Sequence, residues 1–305
     1  MKDTVVVTGI GIISPVGINR DSTWDSLLAG KSGVDHISSF NAESFETRIA
    51  AEVKNFDPAE FLGRKEALRM DRFTQFAMVA SQEAVDHSGL ELGKENPNRV
   101  SVMIGSGIGG IMTLSKEIGV MNERGPSKVN PFLVPMMLAD MASGRVSMKF
   151  GAKGPNFSAI SSCATGADTI CEAASLIARG DIDVAITGGS EAAICPIGIA
   201  GFNACGALSR RNNEPDKASR PFDAERDGFV LGEGSGILVL ESLEHALARG
   251  AQSLAILAGY GATADAHHIT QPSPEGEGGA RAMRMAMDRA GLRPEDVDYI
   301  NAHGT

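Results

Sequence analysis

Apolar positions along this chain fall into short unbroken runs that alternate with helical stripes. Residues 4–9 (TVVVTG) and 99–105 (RVSVMIG) are β-branched runs that stop at glycine, the pattern of strands buried on both faces. Residues 156–161 (NFSAIS), 183–189 (DVAITGG), 236–241 (GILVLE) and 299–302 (YINA) carry the same signature. Between these runs the period changes. Over 71–87, Phe73, Phe76, Ala77, Ala80 and Ala84 share one helical face, with Asp71 placed to cap the N-terminus. From Thr165 to Arg179 the chain is apolar nearly all round and ends at Gly180, which predicts a helix buried on every side. A final helix is expected over 278–290, closed by Gly291.

Apolar strands alternating with helices imply a parallel or mixed sheet covered on both faces. A helix buried all round implies more than three layers, with central helices between two sheets. The polar stretches 209–227 and 263–278 are expected to be long surface loops, and loops of that length are often functional. The run at 299–302 is followed only by His303, Gly304 and Thr305. A strand in such a sheet normally feeds a crossover, so a C-terminal truncation is the expectation here.

Composition narrows the class. Of 305 residues, 43% are apolar and 36 are glycine, against an average glycine usage of about 7%. That excludes a disordered chain, and the unperiodic glycines exclude collagen and linker readings. The charge is −10, with 28 basic and 38 acidic residues, which argues against binding DNA or anionic lipid over the whole surface. Aromatic residues are 5% of the chain, too few for a base-stacking module. No run reaches the length of a membrane span, and the N-terminal apolar run lacks the flanks of a signal peptide. Four cysteines (Cys163, Cys171, Cys195 and Cys205) are too few and too clustered for a disulfide framework. A cytoplasmic protein is the expectation.

Candidate chemistry begins at Cys163. It follows the run at 156–161 and immediately precedes the helix that starts near Thr165, where the positive end of the helix dipole favours a thiolate. Ser161, Ser162, Ala164 and Gly166 leave room for a bulky electrophile, and backbone N–H groups at such a turn can stabilise an oxyanion. Cys171 falls mid-helix, while Cys195 and Cys205 lie in apolar, loop-like stretches without zinc spacing, so these three are read as structural. His303 sits at a strand tip and pairs naturally with a cysteine nucleophile. Asp265, His267 and His268 are read as loop polarity rather than a metal site. Gly105, Gly107 and Gly110 form a literal G-x-G-x-x-G after a strand, but the acidic residue a dinucleotide fold places about 20 residues on is missing. These glycines are read as a turn giving backbone clearance. Basic residues are local: Arg64, Lys65, Arg69 and Arg72 in one cluster, Arg124 and Lys128 in a second. On a chain this acidic, they suggest a docking patch for an acidic macromolecule.

The run from Ser161 to Gly166 (SSCATG) resembles the nucleophile elbow of β-ketoacyl-acyl-carrier-protein synthases, the condensing enzymes of the thiolase superfamily. The N-terminal VVVTGIGIISPVG, residues 206–236 and the terminal NAHGT share that resemblance, which spans the whole chain. The GSGIGG and NPFLVP segments look more like the elongating synthase II type than type I. The resemblance implies a layered αβαβα thiolase-like fold with mixed sheets. The division would be an N-terminal half over 1–250 bearing the nucleophile, and the start of a second, incomplete half over 251–305. It implies decarboxylative Claisen condensation of a malonyl carrier protein with an acyl chain held on Cys163, in fatty acid elongation. His303 would hydrogen-bond the malonyl thioester carbonyl. Thr270 and Thr305 match positions that hold the pantetheine arm. Ile108 and Phe202 match the acyl pocket, with Leu133 reaching in from the partner subunit of a homodimer. Lys65, Arg69 and Lys128 match the carrier-protein docking patch. No metal or dissociable cofactor, nucleic acid or membrane is implied.

In that family the chain continues past His-Gly-Thr into a lysine, a second histidine and a Gly-Phe-Gly-Gly loop. On this basis the 305 residues alone are expected to be poorly stable and not to condense. Three other readings compete. A non-catalytic chain-length-factor subunit would lack the nucleophile, whereas Cys163 is present. A nicotinamide oxidoreductase would have to use Gly105 to Gly110. A thiolase or a coenzyme-A-primed initiating synthase fits the NAHGT motif and the basic patch less well.

Overall fold

The computed structural model describes residues 4–305. Its centre is a five-stranded mixed sheet made of β1 (Val5–Ile13), β2 (Val100–Gly105), β3 (Val184–Glu191), β4 (Gly234–Ser242) and β5 (Ala255–Ile256), in the order β2-β3-β4-β1-β5. Only β2 and β3 are parallel, in register from Val100 with Val184 to Gly105 with Gly189. The other pairings are antiparallel, so β1, first in the chain, lies between the last two strands.

Each strand divides its apolar residues between two faces with period two. Val100, Val102 and Ile104 of β2, Val184 and Ile186 of β3, and Ile237 and Val239 of β4 enter one core, beneath helices α1 (Arg72–Ser88) and α4 (Met141–Phe150). Met103, Ala185 and Leu240 point the other way, onto α5 (Thr165–Ala178) through Ala173, Ala174 and Ile177. Between α1 and α4 run α2 (Ile111–Arg124) and the short α3 (Leu133–Met137). Asp71 caps α1 as expected and also accepts from the Thr113 N–H and hydroxyl at 2.8 and 2.6 Å. Burial pushes its carboxyl above the usual range. Glycines in β1 are there for approach. A Cβ on Gly9 or Gly11 would overlap the backbone carbonyls of Ala84 or Ala80, so α1 could not lie against the strand.

Three expected elements differ in the sheet and its neighbours. Residues 156–161 make no ladder. Asn156 alone bridges to Val102, and its amide nitrogen donates to the Val102 carbonyl at 3.2 Å, so a side chain takes over where pairing stops. The helix at Thr165 is not buried all round. Its sheet-facing residues Thr169, Ala173, Ala174 and Ile177 are buried, while Ala167 and Glu172 are exposed. The apolar run reflects small residues chosen for close packing. Residues 299–302 form no strand, and Tyr299 and Ile300 are 79% and 65% exposed. Strands exist by pairing, and no described strand lies beside them.

Beyond α5 lies an extended stretch, residues 256–262. Tyr260 hydrogen-bonds Ser175 of α5, and Gly259 and Gly261 pack on the last helix, α8 (Glu277–Ala290). The order is therefore helices, sheet, α5, extended segment and α8. The fourth layer is a single segment where a second sheet was expected. The stretches 209–227 and 263–278 are loops broken by short turns at Pro215–Lys217 and Pro274–Gly276.

Candidate active site

Cys163 sits in a tight turn, Ser162–Ala164, directly before α5. Ser162 has φ of 54°, a left-handed conformation that costs a non-glycine residue about 1–2 kcal/mol. The turn is held by the Ala164 N–H donating to the Ser161 carbonyl at 3.1 Å, and by the Ser161 N–H donating to the Thr165 hydroxyl at 2.9 Å. Cys163 is exposed. Behind it the backbone is crowded. A Cβ on Gly105 would overlap Thr165 and Thr169, and Gly166 meets Gly189 of β3. The glycines at the strand tips therefore let the N-terminus of α5 press against the sheet, as the clearance reading of Gly105 to Gly110 requires.

Two cavities meet at this thiol. The larger, about 520 Å³, is mostly apolar and is lined by Cys163, Ile108, Ala193, Phe202, Phe229 and Leu231, with Gly105, Gly107, Gly189 and Glu191 on its walls. The smaller, about 300 Å³, is lined by Cys163, Arg220, Arg226, Phe229, His303 and Thr305. The ring of Phe229 packs edge-on to Phe202 at 5.5 Å. Such an arrangement offers an alkyl-sized space on one side of a nucleophile and a more polar space, with two arginines and an imidazole, on the other. A third cavity, about 430 Å³ between Ile18, Phe61 and α1, contains none of the site residues named from sequence.

The structure thus brings together Cys163, His303, Ile108, Phe202 and Thr305. Thr270 and Leu133 line neither cavity. Thr270 lies on an exposed loop, where its N–H donates to His268 Nδ1 at 3.2 Å, and Leu133 is half-buried at the start of α3. Lys65 and Lys128 are exposed, and Arg69 is half-buried with its guanidinium 4.9 Å above the ring of Phe132, four residues beyond Lys128. Arg69 also pairs with Glu66 at 3.3 Å. Arg72 leaves the patch. It forms an ion pair with buried Glu233 at 2.7 Å and donates to the Val53 carbonyl.

Of the remaining thiols, burial pushes Cys171 up to about 11 and raises Cys195 as well. Cys195 and Cys205 flank a helix, α6 (Pro196–Ala204), where a loop was expected. Among the described residues no group of three or more His, Cys, Asp or Glu side chains could hold a metal ion. No described helix is long and apolar enough to cross a membrane. Sequence reasoning passed over Phe229, Arg220 and Glu191. Phe229 and Arg220 lie in the 206–236 stretch already singled out. Glu191 had a weak signal, an acidic residue closing an otherwise apolar strand, and burial raises its carboxyl above the usual range.

Residues 2–246 match the family described as Beta-ketoacyl synthase, N-terminal domain, and residues 254–305 match Beta-ketoacyl synthase, C-terminal domain. The chain is 51% identical over 301 residues to 3-oxoacyl-[acyl-carrier-protein] synthase 2 of Staphylococcus aureus (strain COL), covering 99% of this chain and 72% of that protein. It superposes on a beta-ketoacyl synthase from Burkholderia phymatum STM815 with a TM-score of 0.90 at 35% identity, covering 99% of this chain and 74% of that one. A type II PKS acyl-carrier protein in complex with its ketosynthase bound to the hexaketide matches with a TM-score of 0.87 at 33% identity, over all of this chain and 74% of that one.

Proposed function

This chain belongs to the beta-ketoacyl synthase family, with its thiolase-like fold, and on that premise we propose that it is a 3-oxoacyl-[acyl-carrier-protein] synthase in which Cys163 carries the acyl chain. The observation that carries the reading is the position of Cys163 at the junction of an apolar cavity and a more polar one that holds His303.

The chemistry follows from that placement. The Cys163 thiolate attacks the carbonyl of an acyl-carrier-protein thioester. Its new C–S bond replaces the bond to the carrier's thiol, which leaves with a proton. The alkyl chain enters the larger cavity past Ile108 and Phe202. A malonyl carrier protein then presents its thioester in the smaller cavity, where His303 donates a hydrogen bond to the carbonyl as negative charge develops. Loss of CO₂ leaves an enolate. Its carbon attacks the acyl-cysteine carbonyl, a C–C bond forms, and the Cys163 thiolate is released. Thr305, on the wall of the smaller cavity, is proposed to hold the pantetheine arm, with Thr270 as the second residue of that role. No metal or dissociable cofactor enters this scheme.

Lys65, Arg69 and Lys128 form the proposed docking patch for the acidic carrier protein, a reading supported by the exposure of both lysines and by the Arg69 contact with Phe132, four residues beyond Lys128. A homodimer belongs to the same reading. Phe157 and Ile160, 42% and 64% exposed, lie on the unpaired stretch beside the β2 edge, an apolar surface that a second copy would cover, and Leu133 is the residue proposed to reach the partner's site. The two family matches meet near residue 250, which supports dividing the chain into 1–250 and 251–305. Four free thiols fit a cytoplasmic enzyme, and fatty acid elongation is the proposed pathway. The presence of Cys163 weighs against a chain-length-factor role.

Intact-mass measurement after incubation with a long-chain acyl carrier protein tests the assignment. One acyl group is expected on the protein and none on Cys163→Ala. No adduct on folded protein, or an adduct that survives the substitution, would overturn it.

A further inference from the structure

We infer that Glu191 is a positioning residue that fixes the wall of the larger cavity at Ile108, and so sets which chain lengths the cavity admits. The substrate in this statement rests on the acyl-transfer reading, but the geometry does not.

Glu191 is the last residue of β3, and its carboxylate turns across the tip of the sheet to the loop that follows β2. One oxygen accepts the N–H groups of Gly107 and Ile108 at 2.9 and 3.1 Å. The other accepts the Ser106 hydroxyl at 3.1 Å, and the same hydroxyl accepts the Gly109 N–H at 2.9 Å. Four consecutive residues are thus tied to one carboxylate, directly or through a single hydroxyl. Among the described residues no lysine, arginine or histidine pairs with it. Its charge is balanced by N–H and O–H dipoles alone, the arrangement of a backbone anion nest.

From the opposite side the Gly110 N–H donates to the Met137 carbonyl of α3 at 3.1 Å, and Gly109 takes a left-handed φ of 73°. The loop is gripped at both ends, and Ile108 at its tip, 40% exposed, lines the cavity with Cys163. Burying a carboxylate without a cation is unfavourable unless its acceptors are fully used. An apolar residue could close β3 without that penalty. What an apolar residue could not do is define the backbone from Ser106 to Gly109, and with it the direction of the Ile108 side chain.

The test compares Cys163 alkylation by N-methyl and N-dodecyl iodoacetamide, read at Cys163 by peptide mass mapping because Cys205 is exposed too, in the full chain and in three variants. Thermal melts run alongside. Glu191→Ala frees the loop and should raise the dodecyl-to-methyl rate ratio by about threefold or more. Glu191→Gln keeps an oxygen for the two N–H groups and an amide for the Ser106 hydroxyl, so it should restore most of the wild-type ratio. Ser106→Ala removes the link to Gly109 and should shift the ratio in the same direction by less. Equal slowing of both probes in Glu191→Ala, or an unchanged ratio, would overturn the inference. If Glu191→Ala does not fold, an unchanged ratio in Ser106→Ala overturns it. A parallel incubation with acyl carrier proteins of two chain lengths separates the claims. Failure of wild-type protein to take any acyl group, together with a shifted alkylation ratio, rejects acyl transfer and leaves the role of Glu191 standing.

Discussion

The Cys163 thiol and the Phe229 ring share one boundary: each lines both the apolar cavity and the polar one. Phe229 is braced edge-on by Phe202 at 5.5 Å, so the partition between the two spaces is a packed aromatic pair. Phe229→Ala should merge the cavities. We expect about a tenfold or greater loss in the rate of acyl transfer from a long-chain acyl carrier protein to Cys163, while Cys163 still reacts with a small alkylating agent at close to the wild-type rate. Phe229→Leu should retain more of the partition and more activity. Single-turnover assays beside thiol labelling check both.

Exposure divides the four thiols into two classes. Cys163 and Cys205 are exposed, whereas Cys171 and Cys195 are wholly or partly buried. Near neutral pH, iodoacetamide should label the first pair and spare the second. The Cys171 thiol, pushed up to about 11 by burial and by Asp168 and Glu172, should react only in strong alkali or after unfolding. Peptide mass mapping across a pH series reads this directly.

Stability should depend on pH through a cluster at the start of α7 (Leu243–Ala248). His245 lies between Glu241 and Glu95 at 2.6 and 2.8 Å and is raised to about 9 by hydrogen bonds that outweigh its burial. Burial pushes Glu241 up, but hydrogen bonds from Arg249, His245 and Thr8 outweigh it and hold the carboxyl at about 2. The histidine contributes fully below about 6.5, and its contribution fades as pH rises through 9. The carboxylate contributes fully above about 4.5 and loses that contribution as pH falls toward 2. Both contributions are present together between about 4.5 and 6.5. The alkaline loss should be on the order of 2 kcal/mol and be absent in His245→Gln. Urea unfolding at several pH values checks the slope.

Two glycines should respond in opposite directions. Gly11→Ala drives a methyl into the Ala80 carbonyl and should cost about 3 kcal/mol or prevent folding. Gly119→Ala, mid-way along α2 with open space around it, should stabilise by about 0.5–1 kcal/mol. Thermal melts of the pair distinguish close packing from helix propensity.

What sequence reveals and what it conceals can be followed at individual residues. The α1 stripe from Phe73 to Ala84 and its Asp71 cap are local signals, and both appear as expected. Cys163 was legible because a small-residue turn at the start of a helix is also local. The error at 156–161 arose because an apolar run does not say whether its backbone finds a partner. Here Asn156 ends the pairing with a side-chain hydrogen bond. The helix at Thr165 misled because alanine-rich stretches look buried whether they touch one neighbour or two. Arg72 was grouped with surface bases because nothing nearby in sequence announces Glu233, 161 residues away. Glu191 was missed for the same reason: its partners belong to a loop more than 80 residues earlier.

The strand order has a consequence for biosynthesis. β1 pairs only with β4 and β5, so the first strand to be made has no ladder until residues 234–242 and 255–256 exist. At about 5–20 residues per second, that interval is on the order of ten seconds or more. During it, an apolar β-branched strand with two unpaired edges must be shielded by its packing on α1 and α5, or by a chaperone. The pairing that completes the sheet is thus a late event in its synthesis, and the aggregation risk of these five strands is concentrated in Val5–Ile13.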